Sequence, residues 1–449
     1  MSSGFKTIVL VLVTIVLISI YLNAASQRAT TVNTNLKRGD QGAYLNFARK
    51  VYRSGFSYTG GRNRMPLYPF LQALLYSPDL NDQEFFARGK AFNTYLSILL
   101  LIFIFFVLRR YFALLQSYTI TVITAFTVFV FKAPYFQAEL LYYTLFFFAF
   151  LTWLKLLESP DLKTAVLSGT LTALAHLTKA SVLPGLVIYF VCSFLKSAGL
   201  IFASVRKHDQ KYSVQEAFSC FKKALTVLLV FLVIISPYEL ESKKRYGRFF
   251  YNVNSNFYMW MESWQDVVQN GPRRYGDRIG WPSMPSEQIP GPIKYFKEHT
   301  LKDIFLRLKR GAINLFHTAN RSYGFMKYIE IFALLAIILS VKSLKDTVDS
   351  LKAHNISALY VTCLLLTYFS LFAFYNSIVG GIRFVLTLFL PLMFIFASII
   401  ENFAGSVSLR VNSKSFSLSS IIYSILLLVV LADINFIYSS RIFQPDYGL

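Results

Sequence analysis

Residues 38–76, RGDQGAYLNFARKVYRSGFSYTGGRNRMPLYPFLQALLY, decide how this chain is read. They follow an apolar run at 6–25, KTIVLVLVTIVLISIYLNAA, which is long enough to cross a bilayer and longer than the core of a cleavable signal. From Asp40 the pattern is helical. Tyr44, Phe47, Ala48, Val51 and Tyr52 recur on one face, with Gln41, Asn46, Arg49, Lys50 and Arg53 on the other. This spacing predicts a helix lying in the membrane interface, apolar face in lipid and basic face toward headgroups. Asp40 stands where that helix begins, as an N-cap whose carboxylate accepts backbone N–H bonds. The Arg53-Ser54-Gly55 step ends it, and Pro66 or Pro69 opens a second apolar piece, PFLQALLY.

Outward from this loop the chain is apolar. Of 449 residues, 55% are hydrophobic, 17% aromatic and only 15% charged, well below the charged share of a soluble domain. Further spanning runs fall at about 91–108, 118–133, 138–155, 163–179, 181–203, 224–240, 328–342, 356–376, 382–400 and 417–438. The expectation is an all-α polytopic membrane protein with about eleven transmembrane helices and juxtamembrane helices in the first outer loop.

The short loops set its orientation. With the N-terminus inside, the cytoplasmic connections contain Arg109 and Arg110, Lys155 to Lys163, Arg206 to Lys223, Lys342 to Lys352, and Arg410 with Lys414. Each is basic, as the positive-inside rule requires. Both long polar loops, 25–90 and 241–327, then share the non-cytoplasmic face of a single domain, 1–449, in the cytoplasmic (plasma) membrane. The 45 Lys and Arg against 23 Asp and Glu point to anionic lipid or an anionic substrate rather than nucleic acid, for which there is no zinc-finger spacing or basic repeat. The three cysteines lie in spans or a cytoplasmic loop, so none serves an outer disulfide. Metal-ligand spacing, GxSxG, P-loop and GxGxxG motifs are missing from the sequence. His176, inside a span, reads as a packed polar residue.

Several stretches in order carry a family resemblance. Asp40 after the first span is followed by AYLNFARKVYRSG at 43–55, RNRMPLYPFLQALL at 62–75 and AELLYYTLFFFAFLTWLKLLE at 138–158. Then come GTLTALAHLTKASVLPGL at 169–186, SPYELESKKRYGRFF at 236–250 and GGIRFVLTLFLPLMF at 380–394. Together these resemble the GT-C superfamily of integral membrane glycosyltransferases, in the branch of protein O-mannosyltransferases and the lipid A aminoarabinose transferase. The resemblance implies a sugar donor on a polyprenyl phosphate, transfer with inversion to a hydroxyl of a lipid, glycan or protein, and Asp40 as catalytic general base. It implies no fixed cofactor and leaves a divalent metal open.

The same resemblance singles out cations for the donor phosphate or sugar: Arg62 and Arg64 before the proline turn, Lys179, Lys243, Lys244 and Arg383. Aminoarabinose transferases carry an acid and a lysine ahead of that proline, where this chain has Arg64-Met65, and many members of the superfamily place an Arg-Asn pair where it has Glu241-Ser242. Arg383 sits at a span edge after Gly380-Gly381, where it can also snorkel, and Lys179 ends a span in HLTKAS. Glu139, at another span end, can neutralise Lys132, orient Arg383 or help hold an acceptor, with Tyr44 and Tyr68 as supports. Trp260, Trp264 and Trp281 in the second loop either stack on a sugar or belong to the interfacial belt. Residues 293–316 read as an amphipathic helix leading back to the membrane. A lipid or sugar transporter or flippase and a non-catalytic relative are the alternatives, although internal repeats typical of transporters are not evident.

Overall fold

The computed structural model describes residues 3–207, 210–269, 275–276, 283–411 and 414–444. The apolar runs form helices because backbone N–H and C=O groups in hydrocarbon must pair within their own segment. Ten helices among the described residues are long and apolar enough to span: Ile8–Thr31, Asp82–Leu108, Leu114–Lys132, Glu139–Glu158, Ala180–Ser204, Val214–Tyr246, Gly324–Lys342, Asn355–Tyr375, Ile382–Ala404 and Leu418–Arg441. The chain is an all-α polytopic membrane protein.

The expected run at 163–179 is the difference between eleven and ten. It forms a 17-residue helix, Leu162–Thr178, two residues shorter than the shortest of the ten and rising ~26 Å at 1.5 Å per residue. Asp161 caps its start by accepting from the Thr164 N–H at 2.8 Å. Lys179 at its end meets Glu139 at the start of Glu139–Glu158, while Lys196, about two-thirds of the way along Ala180–Ser204, donates to the carbonyls of Leu157 and Glu158. The short helix therefore returns across the bundle between two helices that descend, and it completes the alternation of directions.

At the centre, Trp153 is fully buried against Tyr189 and Tyr360, and Phe147 and Phe150 pack on Phe394. Apolar side chains such as Phe103, Phe106, Val191 and Phe194 stay exposed on the outside of their spans, the surface lipid covers. A short antiparallel pair, Ser408–Val411 with Lys414–Ser417, joins the last two spans at the face opposite Asp40.

The run expected at 224–240 passes through Pro237 and continues as helix to Tyr246, carrying Tyr238 and Glu239 inward beyond the proline. One reading of local structure changes. The helix after Asp40, Gln41–Arg53, does not lay its apolar face in lipid. Tyr44, Phe47, Ala48 and Val51 are buried in a protein cluster with Tyr68, Phe85 and Phe136, because the Leu67–Ala73 helix and the loop before Glu139 cover them. Gln41 fixes this arrangement. Its amide exchanges two hydrogen bonds with Asn33 at 2.7 and 2.8 Å, and its oxygen also accepts the Phe136 N–H at 2.9 Å.

The two large loops meet on one face. The Val253 N–H donates to the Arg62 carbonyl, and Arg245 donates to the Gly60 carbonyl at 3.1 Å. The amphipathic stretch after residue 292 is two helices, Pro292–Glu298 and Leu301–Asn320, separated by a Thr300/Asp303 capping box.

Candidate functional site

Gly39 has φ +65°, a left-handed conformation that glycine takes without strain, and it turns the chain just before Asp40. Asp40 precedes the helix, and its carbonyl accepts from the N–H groups of Ala43 and Tyr44. Its carboxylate makes no cap bond, contrary to the sequence expectation. The backbone of Asp40 is already helical, and two guanidinium groups compete successfully for the carboxylate. Arg64 Nη2 donates to Oδ1 at 2.6 Å, and Arg383 Nη1 donates to Oδ2 at 2.7 Å. Burial raises the Asp40 pKa, but the charges of Arg383 and Arg64 and their hydrogen bonds outweigh it and hold the carboxyl at about 2. The side chain keeps 34% of its surface exposed, so this anion is reachable.

Each arginine is itself positioned. Arg64 Nη1 donates to Asn63 Oδ1 at 3.0 Å, and its guanidinium lies 5.6 Å from the ring centre of Tyr44. Tyr44 stands edge-on to Tyr68, whose hydroxyl accepts from Gln72 Nε2. Burial pushes both phenols above their usual range, so they remain neutral. Arg383 belongs to the short helix Ile382–Val385, and its carbonyl accepts from the Tyr143 hydroxyl at 2.7 Å.

A second pair lies beside this one. Glu139, 3% exposed, accepts from Lys179 Nζ at 2.9 Å and lies within electrostatic reach of Arg383 and Asp40. Glu139 thus spends its charge on Lys179. Three buried atoms around the cluster, Arg64 Nε, Arg383 Nε and Glu139 Oε2, have no hydrogen-bond partner within the protein. Each is left free to meet water or a polar ligand.

The structure thus brings together Asp40, Arg64, Arg383, Glu139, Lys179, Tyr44 and Tyr68 from segments far apart in the sequence. It does not bring in the rest. Arg62 donates to the Tyr258 hydroxyl at 2.9 Å and ties the first loop to the second. Lys243 donates to the Gly247 carbonyl at its own helix end, and Lys243 and Lys244 are exposed. From that basic run it is Arg245 that turns inward, over the Tyr58 ring at 4.8 Å and onto Glu241. Gly60 makes the room, since a Cβ there would sit 2.8 Å from Arg245 Nη1. The Gly60-Gly61 pair was the sequence signal for that approach.

Trp260 donates to the Ser255 carbonyl and packs on Tyr295, Phe296 and Phe374, whereas Trp264 is exposed beside Tyr258. Trp281 lies outside the described residues. His176 is buried 3.5 Å from Glu239, which also accepts the Phe250 N–H. Among the described residues no group of three or more His, Cys, Asp or Glu gathers as a metal site. Comparison of the chain with protein-family models and with curated proteins gives no match.

Proposed function

We propose that this protein is a glycosyltransferase that moves a sugar from a polyprenyl-phosphate donor to a hydroxyl acceptor, working on the non-cytoplasmic face. The observation that carries the reading is the Asp40 carboxylate, ionised, partly exposed and held between two arginines at one end of the spans. In the reaction the acceptor oxygen forms a bond to the anomeric carbon as the bond from that carbon to the phosphate oxygen breaks. The acceptor proton passes to Asp40, and the bonding electron pair leaves with the phosphate. Attack from the face opposite the leaving group inverts the centre.

The two arginines have a double part. Without donor they neutralise Asp40, which in that state is a weak base. A phosphate drawing either guanidinium away restores basicity to the carboxylate, so donor binding and base activation are coupled. The same cations stabilise negative charge as it builds on the departing phosphate. Lys179 and Glu139 keep a further cation and acid at hand without placing net charge in the interior.

The test offers purified protein and an Asp40→Asn variant a panel of polyprenyl-phosphate sugars, following loss of each lipid by mass spectrometry alongside donor binding. One donor consumed by the parent, and bound but not turned over by the variant, supports the reading. A variant as active as the parent, or a parent that neither binds nor consumes any donor, overturns it and favours a transporter or a non-catalytic relative.

A further inference from the structure

Behind Arg383 lies a separate cavity of ≈ 390 Å³. Its wall includes Ile382 and Leu386, one helical turn apart on one side of the segment whose Arg383 reaches Asp40 on another. Its charged lining consists of Lys132, Arg321 and Arg441, with no Asp or Glu among its described lining residues. The remaining wall is mixed, with Val128, Phe131 and Met326 on the apolar side and Asn320, Ser322 and Gln444 on the polar side.

The position of these cations is informative. Lys132 ends one span, Gly324 begins another, Ile382 begins a third and Arg441 ends a fourth, so four span ends meet around the cavity at the Asp40 level. The described residues contain three π-helical segments, Ala125–Phe129, Gly324–Ile329 and Ile437–Arg441, and each contributes to this wall through Thr127 and Val128, Met326, and Arg441. π-Segments carry a cost that selection tolerates mostly at functional places. Arg441 Nε is buried without a hydrogen-bond partner in the protein, while its Nη1 donates to Gln444.

We infer that this cavity binds a phosphate group, and that its half-apolar wall at the ends of four spans suits the phosphate of a membrane amphiphile. Basic pockets between transmembrane helices take anionic headgroups in this manner. The site is distinct from the Asp40 cluster and does not depend on the transferase reading. Because Ile382 and Leu386 share a helical turn with Arg383, its occupant rests against the element that holds Asp40.

The test places a reporter on the wall. Met326→Trp, in the full chain, is reconstituted in phosphatidylcholine nanodiscs with brominated phosphatidylglycerol or brominated phosphatidylcholine at about one lipid in five. Preferential quenching by the anionic lipid, at least threefold, lost when Arg321→Gln and Arg441→Gln are added and kept with Arg321→Lys and Arg441→Lys, supports a lipid phosphate. A saturable response to millimolar inorganic phosphate, without lipid preference and with the same dependence on the two arginines, supports the phosphate site with a soluble source. No preference and no response to phosphate in the reporter protein overturns the inference. So does a preference that survives the double glutamine variant. The lysine variant separates loss of charge from loss of fold.

Discussion

Arg383 Nη1 donates to Asp40 Oδ2 at 2.7 Å across 343 residues of sequence, while Arg64 holds the other carboxylate oxygen. The head of the first loop is thereby tied to the start of the Ile382–Ala404 span, and a loop anion becomes part of the bundle. Arg383→Gln therefore removes an anchor and, on the proposed transferase reading, a phosphate ligand. Since Asp40 is one-third exposed, solvent screening limits the stability loss to about 1–2 kcal/mol rather than the larger cost of breaking a dry pair. Donor turnover is expected to fall by about 10²-fold. Thermal unfolding in detergent and the lipid-consumption assay measure the two effects, and a large stability loss with normal turnover contradicts the assignment.

The pH dependence has a definite sign. Asp40 is depressed from its ordinary 3.8 to about 2, so its ion pairs contribute fully above about pH 4 and are lost as pH falls through about 2. The melting-temperature gap between the parent and Asp40→Asn is expected to be constant from pH 8 to 5 and to close below 4. A gap that closes near neutrality means a different group is titrating.

Lys179 and Glu139 form the drier pair, with Glu139 3% exposed. Lys179→Met leaves a buried carboxylate without its cation and is expected to cost about 3–5 kcal/mol. Adding Glu139→Gln removes the stranded charge and restores about half or more of the loss. A double-mutant cycle by denaturant unfolding reads this directly, and additive costs show that the two side chains are not coupled.

Gly60 makes room for Arg245 between the two loops. Gly60→Ala pushes the guanidinium off the Gly60 carbonyl and is expected to cost about 1 kcal/mol, the net worth of a hydrogen bond. In an Arg245→Ala background the same change becomes neutral, because the colliding atoms are gone. Equal cost in both backgrounds, measured by thermal unfolding, places the constraint in the backbone instead.

The all-α class and nearly every span were legible in the sequence, since hydrophobic length alone fixes where a chain can cross hydrocarbon. Residues 163–179 account for the difference in count for a physical reason: their helix is short, and its polar end residues lie inside the bundle, Lys179 paired with Glu139 and His176 buried near Glu239. Of the candidate residues, Asp40, Arg64, Arg383, Glu139 and Lys179 converge, while Lys243 and Lys244 stay at the surface and Arg245 takes the inward place. Composition could mark that basic run, but which member faces inward depends on how the helix continues past Pro237.

The sequence by itself determined the all-α membrane class and the position of nearly every apolar helix, because apolar length is a local property read along the chain. Only the tertiary structure decided what Asp40 does with its carboxylate. Local pattern made it a helix cap, yet the competing partners, Arg64 and Arg383, lie 24 and 343 residues away and become neighbours only when the loop is folded onto the bundle. A charge takes the strongest partners within reach, and reach is a property of the packed helices rather than of the order of residues.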